Sequence, residues 1–426
     1  FAIADLHLSL GEDKPMDVFA GWNDYTSRLE NNWRKLVTDN DTVVVSGDIS
    51  WAMKLEETLT DFTFIENLPG KKIFNKGNHD YWWTTANKMN AYLKAEGFTL
   101  TLTGYDMEMG ITTTIECNVL VPGETVLDAK LLGSMVSRMP AGDICIELTD
   151  EGQAKISGGV AEFEIPALNA SDYPSLPVTG ADNTMTVKCG MLREMIEKTI
   201  YAVSQDDKKP AHTGELFVIE PGSLTIVALD GYRLAIVERP VEAIKEIRII
   251  VPSKTMNEVS HLLANDDEET VHISANRRYV VFTTAGYTIM SRLIEGEFLN
   301  YHNVIPNGSR TSVVLDTKEF IETIERASLI ITERLKNPLR ISFTEGKVVV
   351  RCQTNLGRVV DEFNAQCEGD EVEIGFNNRY LLDALRNART EQVKLEISGP
   401  LSPVKVLPTE GSDFLYLVLP VRFKND

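Results

Sequence analysis

The chain of 426 residues sets 42 Lys plus Arg against 63 Asp plus Glu, a formal charge of −21, and its length suits roughly two to four domains with separate cores. At 43% hydrophobic and 25% charged residues, the composition is that of an ordinary soluble globular protein; it excludes a disordered, collagen-like or low-complexity chain, and no apolar run approaches the ~18 residues of a membrane span. The acidic balance argues against gripping nucleic acid by bulk charge, while leaving room for a local basic surface.

Cys117, Cys145, Cys189, Cys352 and Cys367 form no C-x-x-C pair, which predicts free or buried thiols in a reducing compartment rather than disulfides or structural zinc. The chain opens at Phe1 with no basic n-region or signal-like apolar stretch. The expectation is a cytoplasmic protein lacking its natural start.

In chain order, three apolar strands come first. FAIADLH carries Asp5 and His7 at its end, DTVVVSGDISW carries Asp48, and KKIFNKGNHDYWW carries Asn78, His79 and Asp80. Carboxylate, imidazole and amide oxygen donors placed after successive strands are what a two-metal phosphoesterase requires. The D-x-H, G-D and G-N-H-D set resembles the calcineurin-like metallophosphoesterases. That resemblance implies a divalent metal held by Asp5 and His7, a bridging Asp48, a second metal on Asn78, and His79 as the catalytic group assisting the leaving group. It also requires a later lone His and a G-H-x-H motif, and the histidines after His79 (His212, His261, His272 and His302) supply neither. The implied metal site is therefore incomplete.

Beyond residue 96 the chain repeats itself. Helical segments 128–139, 252–263 and 377–388 align Lys130, Lys254 and Arg379 at steps of 124 and 125, with apolar residues at i, i+3 and i+7 as on one face of an amphipathic helix. Strands around Asp106, Asp230 and Asn355 keep the same period. A second helix type recurs only at 191–203 and 316–328; a first copy would fall near residue 66, where FIENLPGKK shows no such helix. Short alternating strands with Gly, Asn and Asp at the turns fill the rest. The fold class expected is α+β: repeated domains with two helices on antiparallel sheets, preceded by a partial α/β segment.

TGYDMEMG, AEFEIPALNASDYPSLP, ALDGYRLA, GEFLNYHNVIP, EIGFNNRYLLDAL and YLVLPVR occur in that order, and together they resemble the bacterial DNA polymerase III beta subunits, the sliding clamps. The resemblance implies a head-to-tail homodimer of three-domain subunits closed around duplex DNA without sequence specificity, with helices lining the hole and no cofactor. Since phosphate affinity rises with the number of neutralised charges, a modestly basic lumen suits gliding. The cations expected to face DNA are Lys130, Arg138, Arg193, Lys198, Lys254, Arg379, Arg386 and Arg389.

The resemblance further implies a peptide pocket between the second and third domains that receives DNA polymerase III and the clamp loader through linear motifs. Its residues would be Leu229, Gly231, Tyr232, Arg233, Leu234, Pro252, Met256, Leu417, Leu419, Pro420, Val421 and Arg422, with His212 where an aliphatic residue is expected. The domains expected are 1–96, 97–180, 181–308 and 309–426, the first two each incomplete and meeting near Glu96 and Gly97. A sheet that loses strands exposes apolar surface and open edges, so a partner-binding module with weakened ring closure is expected. The competing reading is a metal-dependent phosphoesterase with an appended β-rich module.

Overall fold

The computed structural model describes all residues except 12–13, 15, 20, 84–98, 118, 120–122, 150, 178–182, 243–245, 266–267, 333–337 and 424–426. The expected join near Glu96 and Gly97 lies outside the described residues. The chain divides into two compact units, Phe1–Thr101 with Ile115–Glu124, and Leu102–Thr114 with Thr125–Asp426.

In the first unit, β1 (Ala2–Ile3), β2 (Thr42–Ser46) and β3 (Lys71–Asn75) form a parallel sheet in that order. Helices α1 (Tyr25–Leu36) and α2 (Leu59–Glu66) make the crossovers that parallel pairing demands. Val43 and Val45 alternate into a core with Trp33, Phe62, Ile65 and Trp82. The sequence offers no helix of the repeat near residue 66, and α2 is not one. A helix ends there, but it serves this parallel sheet.

The second unit takes most of β4 (Thr99–Tyr105) and β5 (Met109–Glu116), then helix α3 (Ala129–Val136), β6 (Ile144–Leu148), β7 (Gln153–Gly158) and β8 (Ala161–Pro166). The next repeat runs β9 (Asn183–Lys188), α4 (Cys189–Thr199), β10 (Gly214–Glu220), β11 (Ser223–Leu229), β12 (Arg233–Pro240), β13 (Ile247–Pro252), α5 (Ser253–Leu262), β14 (Thr270–Ala275), β15 (Tyr279–Thr283) and β16 (Tyr287–Arg292). The last holds β17 (Thr311–Asp316), α6 (Thr317–Ser328), β18 (Leu339–Thr344), β19 (Lys347–Thr354), β20 (Gly357–Asn364), β21 (Gln366–Gly369), β22 (Val372–Phe376), α7 (Asn378–Ala388), β23 (Gln392–Ile397), β24 (Val404–Pro408) and β25 (Leu415–Val418).

Local chemistry fixes the helix ends. Asp128, Asp316 and Asn377 accept a first-turn N–H at the starts of α3, α6 and α7, satisfying donors that a helix leaves open. Arg389 takes a left-handed conformation at the end of α7. Phe320 and Ile324 on α6, and Leu381 and Leu385 on α7, are fully buried in one core with the sheets, worth ~2 kcal/mol per large side chain.

Sheets run through the repeats. The order β13-β10-β11-β12-β25-β24-β23-β17-β21 carries one nine-stranded antiparallel sheet from the second repeat into the third, joined where Leu234 faces Leu417 and Arg233 faces Val418. A six-stranded sheet, β4-β5-β16-β15-β14-β9, links the first repeat to the second by pairing Ile111 with Ile289. The first repeat is the weakest part. Its β6-β7-β8 sheet packs α3 through a small cluster of Met135, Ala154, Ile156 and Ile165, while Ile144, Ile146 and Leu148 of β6 stay exposed.

One core residue breaks the apolar pattern. Glu215 on β10 is fully buried; Thr199 Oγ1 donates to its Oε1 at 2.6 Å and Oε2 has no partner. Burial pushes its carboxyl up to about 8. A group protonated in the fold but ionised in the unfolded chain favours folding at low pH, and that contribution is lost as pH rises from the ordinary carboxylate range through about 8. Thermal melts of Glu215→Gln are therefore expected to show a flatter stability profile between those pH values than the parent, with a gain on the order of a few kcal/mol at the alkaline end.

Candidate functional site

In the first unit, Asp5 and His7 follow β1, Asp48 follows β2, and Asn78 and His79 follow β3, all at the carboxyl end of a parallel sheet, where such sheets bind ligands. Ligand atoms of Asp5, His7 and Asp48 lie within 4.8 Å of one another. His79 Nδ1 is 3.1 Å from Asp48 Oδ2, and the His79 N–H donates to Asp48 Oδ1 at 2.8 Å. Asn78 is exposed, with its amide nitrogen 3.2 Å from His79 Nδ1. Partial burial works against ionisation of Asp48, but His79 and His7 outweigh it and hold the carboxyl below its ordinary value. Two carboxylates and an imidazole this close suit a divalent cation.

The backbone here is strained in a consistent way. Asp5, His7 and Asp48 have φ of 55°, 44° and 51°, a region costing a β-carbon residue about 1 kcal/mol or more. Asp80 holds the arrangement from beneath: its buried carboxylate accepts from the N–H groups of Asp48, Ile49 and Gly77 at 2.7–2.8 Å. Gly77 is required by contact, since a Cβ there would lie 2.1 Å from Asp48 Oδ1. Trp51 completes the wall, stacked on His7 at 5.0 Å and tilted against His79 at 5.6 Å. The sequence reading noticed Asp80 without giving it a role; the signal is an Asp directly after His79 in G-N-H-D.

In the second unit, the nine-stranded sheet has two faces because successive residues point opposite ways. Ala228, Ala235 and Val418 face the helices. Leu229, Leu234 and Leu417 face away, in register as one row across β11, β12 and β25. They cluster with Phe298 and Tyr301 from the segment after β16, and the His212 ring lies edge-on to Phe298 at 5.5 Å. Burial and nearby Lys209 keep His212 below its ordinary value.

Beside this row, Asp230 Oδ1 accepts from the N–H groups of Tyr232 and Arg233, with Gly231 at φ 92° between them. Tyr232 is 60% exposed and stacks on Tyr380 at 5.8 Å. The Leu419 N–H donates to Tyr232 O at 2.9 Å, and Val421 N–H to Gly375 O at 2.8 Å. Leu419 and Pro420 are half-buried; Val421 and Arg422 are exposed. Leu229, Gly231, Tyr232, Leu234, His212 and the 417–422 segment thus gather at the seam of the two repeats.

Three expected pocket residues do not join that row. Met256 is fully buried in the helix-side core. Pro252 lies on edge strand β13, separated from β12 by β10 and β11, and lines a cleft with Glu108 and Arg292. Arg233 points to the helix side, bridging Asp230 and Asp383 with its guanidinium 4.8 Å from the Tyr380 ring. The sequence reading missed Phe298 and Tyr301, although FLNYHNVIP carries five large apolar or aromatic side chains without strand alternation.

Lys130, Lys254 and Arg379 all stand exposed or largely exposed near the starts of α3, α5 and α7. Lys254 pairs with Asp106 at 2.5 Å and holds that carboxyl at about 2. Arg138 is exposed and donates to Ser134 O. Arg193 and Arg389 both pair with Glu197, and Arg386 with Glu325. Lys198 corrects the sequence reading: it is 3% exposed, clamped between Glu194 and Asp413, so it belongs to the seam rather than to a DNA-facing surface.

Tandem units of two helices on antiparallel sheets, joined edge to edge, define a processivity-clamp architecture. Residues 87–177, 186–300 and 302–422 match the N-terminal, central and C-terminal domains of the DNA polymerase III beta subunit. The beta sliding clamp of Halalkalibacterium halodurans is 32% identical over 76% of this chain and 89% of its own, and that of Bacillus subtilis 29% identical over 71% and 81%. Among solved structures, a DNA polymerase III beta subunit from Eubacterium rectale superposes with a TM-score of 0.73 at 31% identity, covering 77% of this chain and 89% of that one. The chain belongs to the DNA polymerase III beta subunit family, the sliding clamps, which act with DNA and polymerase. Residues 1–118 separately match the calcineurin-like phosphoesterases.

The three N–H groups on Asp80 supply the local test. Asp80→Asn turns one acceptor oxygen into a donor facing buried N–H groups, and is expected to lower the melting free energy of the first unit by about 1–3 kcal/mol, read by hydrogen exchange at Asp48 and Ile49.

Proposed function

We propose that this chain tethers partner proteins to duplex DNA as a homodimeric cytoplasmic clamp, receiving DNA polymerase III and the clamp loader through linear peptides at the seam of its second and third repeats. The reading divides the chain into 1–96, 97–180, 181–308 and 309–426. The observation that carries it is the row of Leu229, Leu234 and Leu417, which a single continuous sheet brings together from two repeats. The row is itself buried with Phe298 and Tyr301 and holds the seam rigid, while the half-buried Leu419 and the exposed Tyr232 and Val421 beside it give a peptide an apolar edge to lie against. The equivalent exposed cations Lys130, Lys254 and Arg379 support a sparse basic track along the helices. A Pseudomonas aeruginosa sliding clamp bound to griselimycin shows that a related clamp accepts a ligand.

A fluorescent peptide carrying a clamp-binding motif is expected to bind, and Leu419→Asp and Tyr232→Ala are each expected to weaken it by about ten-fold; unchanged anisotropy curves in both variants would remove the pocket. Reversing Lys130, Lys254 and Arg379 to Glu is expected to reduce retention on circular DNA and flatten its salt dependence by about three phosphate contacts. The parent chain is expected to be retained less well than a complete clamp, because the first repeat has only a small core among the described residues and leaves Ile144, Ile146 and Leu148 exposed.

A second reading concerns the first unit. The convergence of Asp5, His7 and Asp48 on a strained backbone favours a divalent metal site there, with Asn78 at its margin and His79 beside the bridging carboxylate. Such an ion would supply Lewis acidity toward a phosphoester. Mn²⁺ titration followed by electron paramagnetic resonance is expected to show binding that Asp48→Asn weakens by about ten-fold or more; hydrolysis of a chromogenic phosphodiester should follow the same variant.

A further inference from the structure

The face that carries the Leu229–Leu234–Leu417 row continues. One step along the strands lie Leu216, Val227, Ile236 and Leu415, then Val218, Thr225 and Glu238, then Glu220 and Ser223, each set in register across neighbouring strands. Of these, Val218, Ser223, Thr225, Ile236 and Leu415 line a trough of about 540 Å³ together with Tyr301, Ile305 and residues of the 407–415 segment, within the ~300–1,000 Å³ of ordinary ligand sites, while Leu216 and Val227 lie buried beneath. Val218, Ile236, Ile305 and Leu415 are half-buried, so they keep apolar area for an occupant.

The charges are unevenly placed. Glu396 in the third-repeat wall already pairs with Lys394 and Lys405, both at 2.9 Å. Glu220 and Glu238 at the second-repeat end are exposed and have no salt bridge among the described residues. They sit on β10 and β12 with β11 between, one row out of step, so two strand spacings and a two-residue advance set them about 12 Å apart. Arg248, in register with Val218 on β13, stands outside the lining. The trough thus offers an apolar floor ending in two carboxylates with no ion-pair partner among the described residues; Arg248 shares their face near Tyr301 and Lys394 is held by Glu396, so the end stays net acidic and suits a cation.

We propose that this trough is a second docking site, for a linear peptide of a partner protein that carries a bulky apolar side chain followed by Lys or Arg. The apolar side chain covers Ile236 and Leu415, and the cation lies between Glu220 and Glu238. The site is separate from the seam row, so two partner segments can be held on one face.

The test uses the full chain and two fluorescein-labelled peptides with Leu-Phe-Lys-Lys and Leu-Phe-Glu-Glu cores. The basic peptide is expected to bind at least about ten-fold more tightly, with affinity falling as salt rises. Glu220→Lys with Glu238→Lys is expected to cancel that preference, and Ser412→Trp, which fills the trough from an exposed loop, to weaken both peptides. Leu419→Asp is expected to leave the basic peptide unaffected while it weakens the clamp-motif peptide, which keeps this site's failure distinct from failure of the seam pocket. Equal binding of the two peptides, no saturation by about 1 mM, indifference to the charge-reversed pair, or loss of both peptide types in Leu419→Asp would each overturn the proposal.

Discussion

The pairing of β12 with β25 is the contact on which the second unit depends. It is a short ladder, Arg233 to Ile236 against Val418 to Leu415, yet it turns the sheets of two repeats into one. Around it, the seam is closed on the helix side by charge: Arg233 reaches Asp383 on α7, while Lys198 and Arg239 reach Asp413. Ion pairs this enclosed gain little net stability over apolar packing, but they are costly to break one-sidedly. They therefore fix how the repeats register rather than how tightly they hold.

Much of this was legible because it is local. The amphipathic spacing of Leu132, Met135 and Met139, and of their counterparts, marks three helices whatever the tertiary context, and Asp or Asn before several of them marks their starts. Strand alternation likewise separated buried from exposed positions. The errors came where distant residues decide. Lys198 sits where a helix normally shows a lysine to water, and its long-range partner Asp413, 215 positions away, joins Glu194 in enclosing it. Met256 and Pro252 were carried over by motif, and no local signal says which side of a sheet a flanking helix covers.

The first unit was readable in a different sense. Its ligand-type residues follow strands at recognisable spacings, so the cluster of Asp5, His7 and Asp48 could be anticipated. What holds it could not. Left-handed backbone at three residues with β-carbons has no sequence signature, and Asp80 looks like one more acid until its three N–H partners are in place.

The two-sided pleat of the nine-stranded sheet gives its strands two separate sets of neighbours. Residues at odd and even positions of β11, β12 and β25 answer to different neighbours, so substitutions on the outer rows can change that surface without disturbing the packing of the helices opposite. Outer chemistry and inner packing are thereby uncoupled within the same strands.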